Sequence, residues 1–148
     1  MLEEANHIII PEILREVKAL LAAYLLFAIY MTMVGERMGE PGIKLELFWS
    51  YREFFTNAYM RQQIINNIWF FVPIGAMVYR LWPKMQAVLI PVLLSLSIEL
   101  LQYLLNTGQF ELDDIINNTL GGLIGMILCM VILRFTKGRL LNRSVIEK

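Results

Sequence analysis

SIELLQYLLNTGQFELDDIINNTLGGLIGMILCMVILRF, Ser97 to Phe135, is the stretch whose reading decides the fold. A short polar turn, Asn106 to Asp114, separates two apolar runs, and the second of them continues from Ile115 to Phe135. A hydrocarbon core about 30 Å thick needs about 20 helical residues at ~1.5 Å each, so that run is long enough to cross a bilayer. Working outward, the preceding run extends back to Met85, and two more of the same kind span Ile64 to Trp82 and Lys18 to Val34. Only Pro83 and Lys84 join the runs ending at Trp82 and starting at Met85, which forces an antiparallel hairpin. The expected architecture is all-α, a single polytopic membrane domain over residues 1–148 with four spans at roughly 18–34, 64–82, 85–105 and 115–135.

Composition agrees. Apolar residues make up 57% of the 148-residue chain and the mean hydropathy is +0.57, against roughly 45–50% apolar usage in soluble domains. Thirteen basic residues balance thirteen acidic ones, so no global basic field points to nucleic acid. The single cysteine, Cys129, excludes an internal disulfide framework, and one histidine, His7, leaves little for zinc chemistry. Glu3 and Glu4 open the chain in place of a basic segment, so a cleaved signal peptide is not expected. Pro11 followed by EILREV predicts a helix start that runs on into the first span.

The connection Gly35 to Gln63 is long enough to hold structure of its own. After the breakers Gly35, Gly39, Pro41 and Gly42, the residues Leu47, Phe48, Tyr51, Phe54, Phe55, Ala58 and Tyr59 recur at helical spacing, with Arg52, Glu53, Asn57 and Arg61 opposite. This pattern predicts an amphipathic interfacial helix over roughly 45–61. Lysine and arginine accumulate on the cytoplasmic side of membrane proteins. With four spans, nine of the thirteen fall on the side shared by the two termini and four on the other, which predicts cytoplasmic termini.

That orientation gathers the polar residues at the extracytoplasmic half. Ser95, Glu99, Gln102 and Asn106 form one stripe on the third span. Asp114, Asn117, Asn118, Gly121 and Gly125 form another on the fourth, and Asn66 and Asn67 open the second. A carboxylate such as Glu99 inside a span costs about 2.5 kcal/mol or more unless it is paired or hydrated, which makes it a functional candidate. The candidate catalytic groups are Glu99, Asp113 and Asp114, and the candidate substrate-binding residues are Gln102, Asn67, Asn118 and Ser95. The structural readings stand beside these. Asn118 can hold helices together, Asp113 or Asp114 can cap the fourth span, and Gly121 with Gly125 can be a packing face.

The segments NNIWFFVPIG, SIELLQYLL and GQFELDDIINNTLGGLIG, in that order, resemble the VanZ-like family, associated with teicoplanin resistance in Gram-positive bacteria. The resemblance covers roughly Asn66 to Gly125. It falls on Asn67, Pro73, Gly75, Glu99, Gln102, Asp113, Asp114, Asn118, Gly121 and Gly125. Many members have an arginine in the turn before the aspartates. Here Gln109 stands in that turn and no basic residue does, so an arginine-held phosphate is not carried over. The resemblance implies an envelope or glycopeptide-resistance role, and three mechanisms fit it. One is a site for an envelope lipid or its headgroup, such as a lipid-linked cell-wall precursor. A catalytic version of it would place a divalent cation between Glu99 and Asp113 or Asp114. The second is a non-catalytic assembly module, with homo-oligomers formed through Gly121 and Gly125. The third is a small proton-coupled transporter using Glu99.

Overall fold

The computed structural model describes residues 2–34 and 42–146, and side chains within 11–31 and 42–136. In chain order it holds α1 (Leu2–Val34), β1 (Ile43–Lys44), α2 (Trp49–Arg52), α3 (Ala58–Leu81), a 3₁₀ turn (Met85–Val88), α4 (Leu89–Leu104), β2 (Phe110–Glu111) and α5 (Leu112–Ile146). The fold is helical, and three of its helical segments are long and apolar enough to cross a membrane: Ala58–Leu81, Met85–Leu104 and Leu112–Thr136. The first apolar run, 18–34, lies inside α1 and is not one of the three found among the described residues.

Local chemistry sets the helix ends. Asn57, in extended conformation, accepts hydrogen bonds from the N–H groups of Tyr59 and Met60 and so caps α3. Trp82 precedes Pro83, which disfavours helical backbone, and α3 stops there with Trp82 at φ −132° and ψ 86°. Asn106 follows α4 in the left-handed region at φ 53°, a conformation asparagine tolerates after a helix C-terminus.

The amphipathic helix expected over 45–61 does not form. Its residues divide among a four-residue helix, a run of turns and the first residues of α3. Two local features break it. Phe48 sits at φ 61°, outside right-handed helix geometry, and Asn57 starts a new helix. The breakers Gly35, Gly39 and Pro41 lie outside the described residues. The turn between α4 and α5 also holds more order than a polar loop. Residues 43–44 and 110–111 pair in parallel, Ile43 with Phe110 and Lys44 with Glu111, as a two-stranded ribbon across one end of the bundle.

α3 and α5 form the central pair, with α1 resting on α3 and α4 on α5. Phe71, Ile74, Val78, Ala87, Ile98 and Met126 make the buried core. The seam between α3 and α5 is backbone against backbone. A methyl added to Gly125 would lie 1.9 Å from the Val72 carbonyl oxygen, one on Gly121 2.1 Å from that of Ile68, and one on Gly75 1.9 Å from that of Gly122. The face expected to carry homo-oligomers through Gly121 and Gly125 is therefore occupied by α3 of the same chain. Small residues let helix axes approach where lipid supplies no hydrophobic drive, and dispersion between backbones replaces it.

The outer surface is apolar. Leu20, Leu26, Tyr30, Trp69, Leu93, Leu104, Ile132 and Phe135 are all exposed, several by 60–70%. A patch of that extent suits acyl chains and would be a liability in water.

Candidate functional site

The C-terminal half of α1, the N-terminal halves of α3 and α5 and the C-terminal half of α4 meet at the end of the bundle that carries the ribbon. A cavity of about 200 Å³ lies among them. Asn66, Asn67, Phe70 and Phe71 line it from α3, Ile98, Glu99 and Gln102 from α4, Asp114 and Asn118 from α5, and Ala28 and Met31 from α1. Five of the seven site residues expected from sequence thus line one cavity: Glu99, Gln102, Asp114, Asn67 and Asn118.

Glu99 is 2% exposed. Its Oε2 accepts the Glu111 N–H at 3.0 Å, so the carboxylate that lines the cavity also ties down the ribbon. On α5, the Asn67 side chain reaches the Asp114 carboxylate from α3. Asn118 donates its side-chain amide to Ser95 Oγ at 2.9 Å. Ser95 is fully buried behind that bond and does not line the cavity. Its contact with Asn118 joins α4 to α5, a bond of the kind that contributes about 0.6 kcal/mol between membrane helices.

Asp113 faces elsewhere. It is fully buried. Its Oδ1 accepts the Phe48 N–H at 2.6 Å, and its Oδ2 accepts the Ser50 N–H at 3.0 Å and the Ser50 hydroxyl at 2.6 Å. These bonds cap the short α2 from a distant helix and hold Phe48 in its left-handed backbone, a conformation unfavourable for an aromatic residue. The expected capping role is thus filled by Asp113, for α2 and not for its own helix. Next to it the Tyr51 hydroxyl donates to Asn117 Oδ1, and the Asn117 side chain also reaches the Asp114 carboxylate. Burial and the nearby Asp113 and Asp114 carboxylates push the Tyr51 phenol up, which keeps it a donor.

The ribbon supplies the remaining charges. Lys44 Nζ sits 2.8 Å above the Trp49 ring, a cation–π contact. Burial raises the Glu111 carboxyl above its ordinary range, against the opposing pull of Lys44. Among the described residues no group of three or more His, Cys, Asp or Glu side chains stands placed to hold a metal ion. The sequence reading placed Asn66 and Asn117 in the polar stripes without choosing them as site residues, and it missed the roles of Tyr51 and Glu111. Asn66 and Asn117 each adjoin a chosen asparagine, so the paired NN at both positions was the available signal.

With this geometry in place, comparison with known proteins is informative. The VanZ/LLP1 family profile matches residues 20–134. The chain belongs to the VanZ/LLP1 family. The matched stretch runs from α1 through the whole of the cavity lining and most of α5. Protein VanZ of Enterococcus faecium is 31% identical over 78 residues, covering 49% of this chain and 47% of the relative. The chain therefore spans about half the length of that VanZ relative. No solved structure matches.

Proposed function

We propose that this VanZ/LLP1 member acts in glycopeptide (teicoplanin) resistance or envelope homeostasis by binding an envelope lipid or its headgroup in the cavity between α1, α3, α4 and α5. One observation carries the reading. Glu99, almost completely buried inside a spanning segment, lines a cavity whose walls mix carboxyl and amide groups with apolar side chains. A carboxylate at that depth, with no basic side chain among the described residues of the lining, is unfavourable unless its site is used. In this reading Gln102, Asn67 and Asn118 orient the headgroup, and Glu99 and Asp114 are its acceptors or, if the ligand is processed, its proton-handling groups. Asp113 holds residues 48–50 in place outside the cavity lining. A lipid-linked cell-wall precursor fits the compartment, because glycopeptides act on such molecules at the outer leaflet.

The test is expression in a teicoplanin-sensitive Gram-positive host. Wild type is expected to raise the tolerated teicoplanin concentration. Glu99→Gln, whose side-chain oxygen still accepts the Glu111 N–H, is expected to lose that effect at equal membrane abundance. An equal rise with Glu99→Gln removes Glu99 from the function.

The proposal includes four spans with both termini cytoplasmic and the cavity facing outward. Support for α1 as the fourth span comes from Leu20, Leu26, Phe27, Tyr30 and Met31, all exposed along it as on a lipid-facing helix. The nine-to-four distribution of lysine and arginine supports the direction. A cytoplasm-dependent reporter fused after Lys148 is expected to be active. Activity only from a reporter that requires export would reverse the topology.

A further inference from the structure

The cavity has an electrical sign that a phosphate-binding site would not have. Glu99 and Asp114 both line it, and every other polar group in the lining is a side-chain amide. Among the described residues no lysine, arginine or histidine lines it. Lys44, on the ribbon beside it, has its ammonium over the Trp49 ring and its field on Glu111. A phosphate brought against two carboxyl groups finds, among the described residues of the lining, no basic side chain to offset the repulsion. An ammonium group meets the opposite situation. It presents three N–H donors and no acceptor, facing two carboxylates and the amide oxygens of Asn67, Gln102 and Asn118.

Shape adds a second constraint. Ala28, Met31, Phe70 and Ile98 give the cavity an apolar side, and Met31 is also exposed on the lipid-facing surface of α1. α1 packs chiefly on α3 and only lightly on α4, and Met31 of α1 and Ile98 of α4 both line the cavity. About 200 Å³ is below the roughly 300–1,000 Å³ of a site that encloses a drug-sized ligand. The space suits a small headgroup whose chain leaves along the bilayer.

We infer that the cavity binds the ammonium group of an amphiphile, with the nitrogen between Glu99 and Asp114 and the alkyl chain leaving past Met31 and Ile98. The inference rests on the lipid-site reading above and specifies its ligand chemistry.

The test uses the full chain in maltoside micelles, titrated with dodecylammonium, dodecyl phosphate and dodecanol and read by native mass spectrometry. Dodecylammonium is expected to bind at least about tenfold more tightly than dodecyl phosphate at neutral pH. Glu99→Gln and Asp114→Asn are each expected to reduce that preference while dodecanol occupancy stays as in wild type. Equal or tighter binding of dodecyl phosphate overturns the ammonium assignment, as does a preference that survives in both variants. Equal binding of all three probes removes the ammonium and leaves the lipid site standing, whereas no binding by any of them removes both. Displacement of dodecylammonium by free ethylamine at matching concentration supports the ammonium and assigns it to a soluble amine, which overturns the amphiphile.

Discussion

Gly125→Ala is expected to lower the unfolding temperature of the purified protein sharply, while Gly108→Ala leaves it nearly unchanged. Both changes add one methyl group, and the difference lies in what that group meets. At Gly125 it would stand 1.9 Å from the Val72 carbonyl oxygen and 2.8 Å from the Ala76 nitrogen, both backbone atoms in α3. Neither can move without shifting the helix. At Gly108 the nearest atom is Gln102 Cβ at 3.6 Å, an ordinary contact. Overpacking a rigid contact costs about 1–3 kcal/mol and occasionally more. The backbone clash at Gly125 belongs at the upper end, because relief requires moving α5 away from α3 along its length. Thermal unfolding in detergent, followed by circular dichroism, measures the pair. Equal midpoints for wild type and Gly125→Ala would refute the close seam.

Asp113→Ala is expected to expose Lys44 and Arg52 to trypsin while the spanning helices stay intact. The substitution removes the acceptor for two backbone N–H groups and one hydroxyl in a buried place. Leaving a buried donor unsatisfied costs about 1–3 kcal/mol each, and Phe48 loses the bonds that hold its left-handed backbone. The loop should therefore open without the bundle unfolding. Asp113→Asn is the graded version, since an amide keeps one acceptor oxygen but turns N–H donors toward a site that needs acceptors. Asp114→Ala is the control. It removes the neighbouring carboxylate from the cavity and spares the bonds to residues 48–50, so its tryptic pattern should match wild type. A loop as resistant in Asp113→Ala as in wild type would deny Asp113 this holding role.

The two acidic neighbours show what can be read from sequence here and what cannot. Both aspartates open the same helix one residue apart, and helical geometry alone points them in different directions. The direction of each depends on a partner far along the chain, Phe48 and Ser50 for Asp113 and Asn67 for Asp114, and no local pattern reports such a partner. Apolar runs were legible because hydrophobicity is a local property, and so were the hairpin at Pro83 and the Glu99–Gln102 stripe. The spacing of Gly121 and Gly125 announced a close helix contact but not its partner. That partner is Val72 and Ile68 of the same chain. The aromatic periodicity over 47–59 misled for a related reason. A helical repeat of apolar residues also fits two short pieces broken by turns, most of whose aromatics stay exposed, and Asn57 settles the matter by capping the second.

The bonds between Asp113 and residues 48–50 also have a meaning in time. Ser50 and Asp113 are 63 residues apart, and translation at ~5–20 residues per second puts several seconds between their appearances. Throughout that interval the Phe48 and Ser50 amides have only water as a partner, and α3 and α4 must be made before α5 arrives. The hold on residues 48–50 is thus set only once α5 begins to be made, in the same step that brings Asp114 and Asn118 to the cavity.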